Sequence, residues 1–344
     1  MNLKRIGVDL AKQVFQVHGV DSHEHVMCRK QLKRAQVLDF FRQCEPCLVA
    51  MEACGSAHYW ARELRTLGHE VRLIAPQFVK PYVKSGKNDA NDAEAICEAA
   101  SRPTMRYVEV KSAEQQASQA VHRIRSRLIR ARTALANEIR GLLGEFGLIA
   151  AQRGIAATRS LIQASLEDAE NGLPGQMREL LSGLQAELNE HDGHLLRLDG
   201  MIQRQARADE RVKRLLAVEG IGPISATAIV SAVGDARQFS NGRQFAAWLG
   251  LVPRQHSSGG KERLGSITKQ GDTYLRTLMI HGARAVLRHC QNKEDRRSEW
   301  LQQLLCRRNM NIATVALANK NARIVWAILS RGEDYQPDRA PQPA

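Results

Sequence analysis

Between Ser112 and Phe146 apolar residues recur at spacings of three and four (Val121, Ile124, Leu128, Ala131, Leu135, Ile139, Leu142 and Phe146), with no proline among them. A run this long can bury its stripe only as one extended amphipathic helix of coiled-coil character. A second heptad-like run (Leu184, Leu188, His191, Leu195, Leu198 and Ile202) follows a Gly- and Pro-punctuated break from Gly154 to Gly175. Two such helices predict an antiparallel hairpin or an oligomerisation arm, and the arm divides the chain. At 344 residues two or three domains are expected.

Ahead of the arm the period is two. Ile6, Val8 and Leu10, then Val14, Val17 and Val20, flank a polar turn at Ala11 to Gln13, which predicts a strand, a short turn and a second strand. CLVAME (47–52) reads as a compact strand, HYWARELRTLG (58–68) as a helix closed by Gly68, and EVRLIAP (70–76) as a strand stopped by Pro76. NDANDAEAICEAAS reads as a helix capped by Asn88 or Asp89, with Ala93, Ile96, Cys97 and Ala100 on its buried stripe. Strands followed by βα units predict a mixed sheet covered by helices. The expected organisation is an α/β domain over 1–110, the helical arm over 111–205, a mainly helical domain over 206–332 and a disordered tail over 333–344. In the third region LLAVEGIGPISATAIVSAVG (215–234) reads as two helices about a Gly220-Ile-Gly222-Pro turn, resembling a helix-hairpin-helix, whose backbone N–H groups face a phosphate.

Fifty Lys and Arg against 36 Asp and Glu give a formal charge of +14, the field of a protein that sits on phosphate backbones. A hydrophobic fraction of 43% with 25% charged residues is globular composition and excludes wholesale disorder. The first long helix carries Arg123, Arg125, Arg127, Arg130, Arg132 and Arg140, either a solvated face or a phosphate-tracking one. Seven scattered cysteines do not form a disulfide framework; Cys44 and Cys47 make a CxxC without a second zinc pair, so these thiols are read as packing. No stretch approaches the roughly 18 apolar residues of a membrane span, and MNLKRIGVDL runs into a strand rather than a signal peptide. The expected setting is therefore the cytoplasm, at the nucleoid, with no membrane partner.

Within this basic chain four acids stand at element ends: Asp9 in RIGVDL, Glu52 closing CLVAME, and Asp89 and Asp92 in KNDANDAEAI. Any one could be a turn or helix cap. Asp89 and Asp92, three residues apart, share a helix face, whereas Glu94 faces away. Four carboxylates gathered without a cation would repel one another and raise their own pKa values; a divalent ion, Mg²⁺ or alternatively Mn²⁺, removes that cost. Metal-assisted phosphodiester chemistry is the reaction such a set serves. The GVDLAK segment also suits the first phosphate hairpin of actin-like ATPases, but no DxGGGT-like second loop follows.

Further along, HSSGGKERLGSITKQGD (256–272) is polar, glycine-rich and cationic: Arg254, Lys261, Arg263, Lys269 and Arg276 lie in or beside it as candidate phosphate contacts, together with Arg123, Arg127 and Arg130 of the arm. Ser257 and Ser258 there are ordinary loop residues by composition, although a serine among cations can act as a nucleophile once activated.

Taken together, GVDLAK, MEACGSAHYWAREL, KNDANDAEAI, GIGPISA, and GLVPRQHSSG with ITKQGDTYLR resemble the DEDD transposases of the IS110 insertion-sequence family, above all its IS1111 branch, with the Piv-type invertases as relatives. The resemblance spans about residues 3–335. It implies a RuvC-like, RNase H-type catalytic domain, a coiled-coil arm and a C-terminal transposase domain. It places the four family acids on Asp9, Glu52, Asp89 and Asp92 and the catalytic serine on Ser258, counted from Pro253. It further implies strand exchange through a phosphoserine link to DNA, a guide RNA from the element's noncoding end, and a homo-oligomer, dimer or tetramer, pairing the acids of one subunit with the serine of another. A RuvC-like resolvase or nuclease activating water, and a non-catalytic nucleic-acid scaffold, are the readings left beside it.

Overall fold

The computed structural model describes residues 3–84 and 88–337. It divides into two compact units, 1–116 with 233–240, and 117–232 with 241–344.

The first unit is built on a six-stranded sheet in the order β3-β2-β1-β4-β5-β6. Strands β1 (Arg5–Leu10) and β2 (Val14–Val20) form the expected hairpin. β3 (Val26–Lys33) extends it antiparallel, while β4 (Leu48–Glu52) and β5 (Glu70–Ile74) continue the other side in parallel and β6 (Tyr107–Val108) closes it antiparallel. This mixed sheet is consistent with the RNase H-like expectation. β3 escapes the sequence pattern because only Cys28 and Leu32 of its eight residues are buried; an edge strand with Val26 and Met27 facing water has no clean alternation.

Alternation sorts the strand residues onto two faces. Ile6, Val8, Phe15, Val17, Val49 and Met51 share the face covered by α1 (Val37–Arg42) and α2 (Ala57–Thr66), where the Phe15 and Trp60 rings meet edge to face at 5.1 Å. Ala50 and Ile74 pack on the other face with Ile96 and Ala99 of α4 (Asp89–Ala99) and Val79 of the short α3 (Pro76–Val79). Asn88 caps α4, its side chain accepting from Ala90 N and Asn91 N, and the expected stripe of Ala93, Ile96, Cys97 and Ala100 is buried.

The second unit carries α5 (Ala113–Glu145) and α7 (Gly175–Ala208), each over thirty residues long by their bounds. They run antiparallel: Ser118 bonds Gln205, Arg125 pairs with Asp199, and Arg132 with Asp192. The supposed break between them contains a further helix, α6 (Ile155–Glu167), whose Arg159 also reaches Asp192. Leu135, Ile139, Leu143, Ile162, Leu181 and Leu188 form the three-helix core at that end. The expected apolar stripe of α5 is only partly buried: Ile124, Leu142 and Phe146 face solvent, and Leu143 takes the inner position instead.

Thereafter come α8 (Glu210–Leu216), α9 (Pro223–Val233), α10 (Gly242–Trp248), a hairpin of β7 (Pro253–Gln255) and β8 (Leu264–Ile267), then α11 (Thr273–His289), α12 (Arg296–Leu305) and α13 (Met310–Arg331). The glycine-rich stretch is thus a hairpin, not an open loop. Residues 333–337 carry no helix or strand; the rest of the tail expected to be disordered lies outside the described residues.

Candidate functional site

Asp9 is the fifth residue of β1 and Glu52 ends β4. The parallel register sets Val8 beside Met51, so Asp9 and Glu52 are the next pair along and point to the face that α4 covers. What lets α4 come close is Gly7, two residues before Asp9 on the same face. A Cβ there would stand 2.2 Å from Ala93 O and 2.5 Å from Cys97 N of α4. With the helix seated on bare backbone, its first turn delivers Asp89 and Asp92 to Asp9.

Carboxylate oxygens of Asp9, Asp89 and Asp92 lie within 4.8 Å of one another, a separation that one divalent ion can bridge. Glu52 stands outside that set, yet the charge of Asp92 acts on it as well. Burial first, then Asp92, Asp89 and Glu52, push the Asp9 carboxyl up to about 6. Burial and then Asp92 also raise Glu52. Asp92 is therefore the neighbour that both strand carboxylates feel. Among the described residues no Lys, Arg or His forms an ion pair with any of the four. Glu94, expected to face away, does so: it pairs with Lys84 and Arg29. An all-oxygen acidic cluster, with Asp9 and Asp92 partly buried, Asp89 exposed and no cation paired to it among the described residues, fits a hard divalent metal.

Ser258 belongs to the other unit. It precedes Gly259 and Gly260, whose φ values of +58° and +75° make the two-residue hairpin turn that favours glycine, and Lys261 N donates to Ser258 O at 3.2 Å. The serine is thus held at an exposed hairpin tip, while the Ser257 hydroxyl accepts from Gln255 Nε2 at 3.0 Å. Arg254, Lys261, Arg263 and Lys269 are exposed along the same hairpin.

Arg276, expected to contact phosphate, is instead 8% exposed. Its guanidinium donates to Leu249 O, Gln270 O and Thr273 Oγ1, tying the two feet of the hairpin to α11. Gly220 also has a packing role: at φ +86° it lies against Gly282 of α11, where a Cβ on Gly282 would meet Gly220 O at 1.8 Å. Gly222 is exposed beside the start of α9. On α5, Arg125 and Arg132 are committed to Asp199 and Asp192, and Arg140 bonds Asn137, whereas Arg123, Arg127 and Arg130 are exposed. Sequence reasoning missed Gly7 and the structural use of Arg276. A lone glycine inside a strand pattern, signalling close backbone approach, could have flagged the first.

The DEDD_Tnp_IS110 transposase model matches residues 6–147, which hold all four acids, and the Transposase IS116/IS110/IS902 family model matches residues 212–299, which hold Ser258. The chain is 71% identical over 337 residues to a probable family 20 transposase of Pseudomonas aeruginosa, covering 98% of this chain and all of that protein. This chain belongs to the IS110 transposase family. It is also 48% identical to the transposase for insertion sequence element IS1111A of Coxiella burnetii, over 97% of this chain and 92% of that one. With the transposase for IS1328 of Yersinia enterocolitica it shares 42% identity over 96% of this chain and 98% of the relative. As an IS110 transposase it is a DNA-cleaving and DNA-rejoining enzyme, its DEDD domain suggests a divalent metal, and no helix among the described residues is long and apolar enough to cross a membrane.

Proposed function

We propose that this transposase cuts and rejoins the ends of its insertion sequence through Ser258, with Asp9, Glu52, Asp89 and Asp92 as ligands of Mg²⁺ or Mn²⁺. The observation that carries the reading is the acid cluster of Asp9, Asp89 and Asp92, whose oxygens lie within 4.8 Å of one another and which no cation among the described residues pairs. A divalent ion held there supplies charge neutralisation at the scissile phosphate. Asp92, whose charge acts on both Asp9 and Glu52, would be a shared ligand of such an ion, and α4's N-terminal dipole favours the carboxylates it carries.

Ser258 Oγ attacks the phosphorus: the Oγ–P bond forms, the P–O3′ bond breaks, and the strand's 3′ oxygen leaves as a free hydroxyl after taking up a proton. Attack by another strand's hydroxyl on the phosphoserine reverses the step, so bond energy is kept and no nucleotide triphosphate is consumed. The exposed cations Arg254, Lys261, Arg263 and Lys269 hold the flanking phosphates. Exposed Arg123, Arg127 and Arg130 track a nucleic-acid backbone along α5. In this reading an element-encoded RNA guides target choice, and a dimer or tetramer pairs the acids of one subunit with the hairpin of another.

Ser258→Ala tests it. Because the side chain is exposed at a turn, the variant keeps its fold, and it is expected to lose both strand exchange and the SDS-stable DNA adduct. Retained metal-dependent cleavage would transfer the role of nucleophile to water and leave a RuvC-like nuclease. Co-purification of the element's noncoding transcript with the protein tests the guide.

A further inference from the structure

Apart from the acids and the serine hairpin, the second unit holds a cavity of about 260 Å³ between α5, α9 and the first turn of α11. One wall is apolar (Ala228, Ala232, Leu275); another is a polar row on α5, Gln119, Arg123, Ser126 and Arg130; Tyr274 lines it as well. The tyrosine is fixed from behind. Thr227 Oγ1 donates to Pro223 O at 2.7 Å, so its oxygen accepts from His122 Nε2 at 3.0 Å, which leaves Nδ1 to accept the Tyr274 hydroxyl at 3.1 Å. His122 is buried and is held neutral by that burial. Asp272, the acid in the lining, is engaged as the cap of α11, accepting from Tyr274 N and Leu275 N.

An immobilised aromatic ring, an apolar wall, an amide able both to donate and to accept, and two arginines in the lining are the parts that recognise a base and its phosphate. We infer that this cavity takes one unpaired nucleotide of a nucleic-acid strand, its base against Tyr274 and the apolar wall and its phosphate at Arg123 and Arg130. The inference rests on the nucleic-acid substrate of the family and adds a site to it. The cavity distinguishes two classes of arginine on α5: Arg123 and Arg130 line it, whereas Arg127, also exposed, does not.

The test is near-ultraviolet crosslinking of full-length protein to single strands bearing 4-thiothymidine (DNA) or 4-thiouridine (RNA), with adducts mapped by mass spectrometry. The adduct is expected in the peptide holding Tyr274 and Leu275. Ala232→Leu, which fills the cavity, and Gln119→Ala, which removes the amide, should each cut its yield about fivefold or more, the scale of one lost stacking platform. Arg123→Ala, Arg130→Ala and Arg127→Ala should each take about 0.7 from the slope of log affinity against log salt, but only the first two should reduce the adduct. The strand giving the higher yield is the cavity's occupant. An adduct elsewhere, or a yield indifferent to Ala232→Leu and Gln119→Ala, overturns the pocket while leaving transposition intact. A protein that binds neither strand overturns the nucleic-acid reading on which the pocket stands.

Discussion

Asp9→Asn should make the metal-free protein more stable while abolishing its cleavage activity. Burial and three neighbouring carboxylates lift the Asp9 carboxyl from its ordinary 3.8 to about 6, so at pH 7.5 the folded chain holds a charge it would prefer to neutralise. That rise corresponds to a ceiling of roughly 3 kcal/mol, and solvent relaxation around the half-buried cluster brings the expected gain to between roughly 1 and 3 kcal/mol. For a unit of this size the change is a melting-point rise of at least about 3 °C in chelator. The sign follows from linkage: a raised carboxylate contributes most below its unfolded pKa, and the contribution is lost as pH rises through 6. The advantage of Asn over Asp therefore exists above pH 6 and vanishes below 3.8. Saturating Mg²⁺ should reverse the ranking, because only the wild type gains binding energy from the ion. Thermal denaturation of both proteins across pH, with and without Mg²⁺, decides it. An Asp9→Asn protein no more stable than wild type in chelator at pH 7.5, or a gain that persists at pH 3.5, would falsify the account of an uncompensated acid cluster.

Gly7→Ala should force α4 off the sheet, since the new methyl would lie 2.2 Å from Ala93 O; a loss of about 3 kcal/mol or more is expected, with cleavage falling further than stability, measured by denaturant unfolding and a cleavage assay side by side. Arg276→Ala leaves three acceptors unmatched at the feet of the serine hairpin and should cost roughly 2–4 kcal/mol, with Arg276→Lys failing to restore it because one ammonium cannot reproduce the guanidinium's spread of donors. His122, depressed to about 4 by burial, works opposite to Asp9: its stabilising share is complete above the ordinary histidine value of 6.5 and drains away as pH falls through 4, up to roughly 3 kcal/mol, so His122→Gln should flatten the acid limb of the stability profile.

How much of this was legible in the sequence depended on whether one residue's neighbours were local. The β1–β2 hairpin, β4, α2, β5 and α4 followed from periodicity and caps because each buries a regular face. β3 did not, since an edge strand with two buried residues leaves no alternation. The β7–β8 hairpin was hidden because all its strand residues but Ile267 are exposed, so no apolar pattern marks it. α6 is concealed between Gly154 and Gly175, which have the look of a break in sequence although they bracket a helix. Among the candidate site residues, the acids Asp9, Asp89 and Asp92, which the fold gathers, stand out in the sequence by type and by their place at element ends. For Arg276, charge alone does not tell a phosphate contact from a strut, a difference set by carbonyls 27 and 6 residues away.

The pairing of α5 with α7 advances by one heptad on the first helix, Arg125 to Arg132, as it retreats by one heptad on the second, Asp199 to Asp192. The two helices are therefore rungs of a single ladder, and neither can change length alone. An insertion in α5 by itself would move every arginine beyond it off its aspartate and turn the buried leucines toward water. Relatives with longer or shorter arms must add or delete residues in matched sets on both helices, in steps of a heptad. Arm length in this lineage should thus vary by jumps.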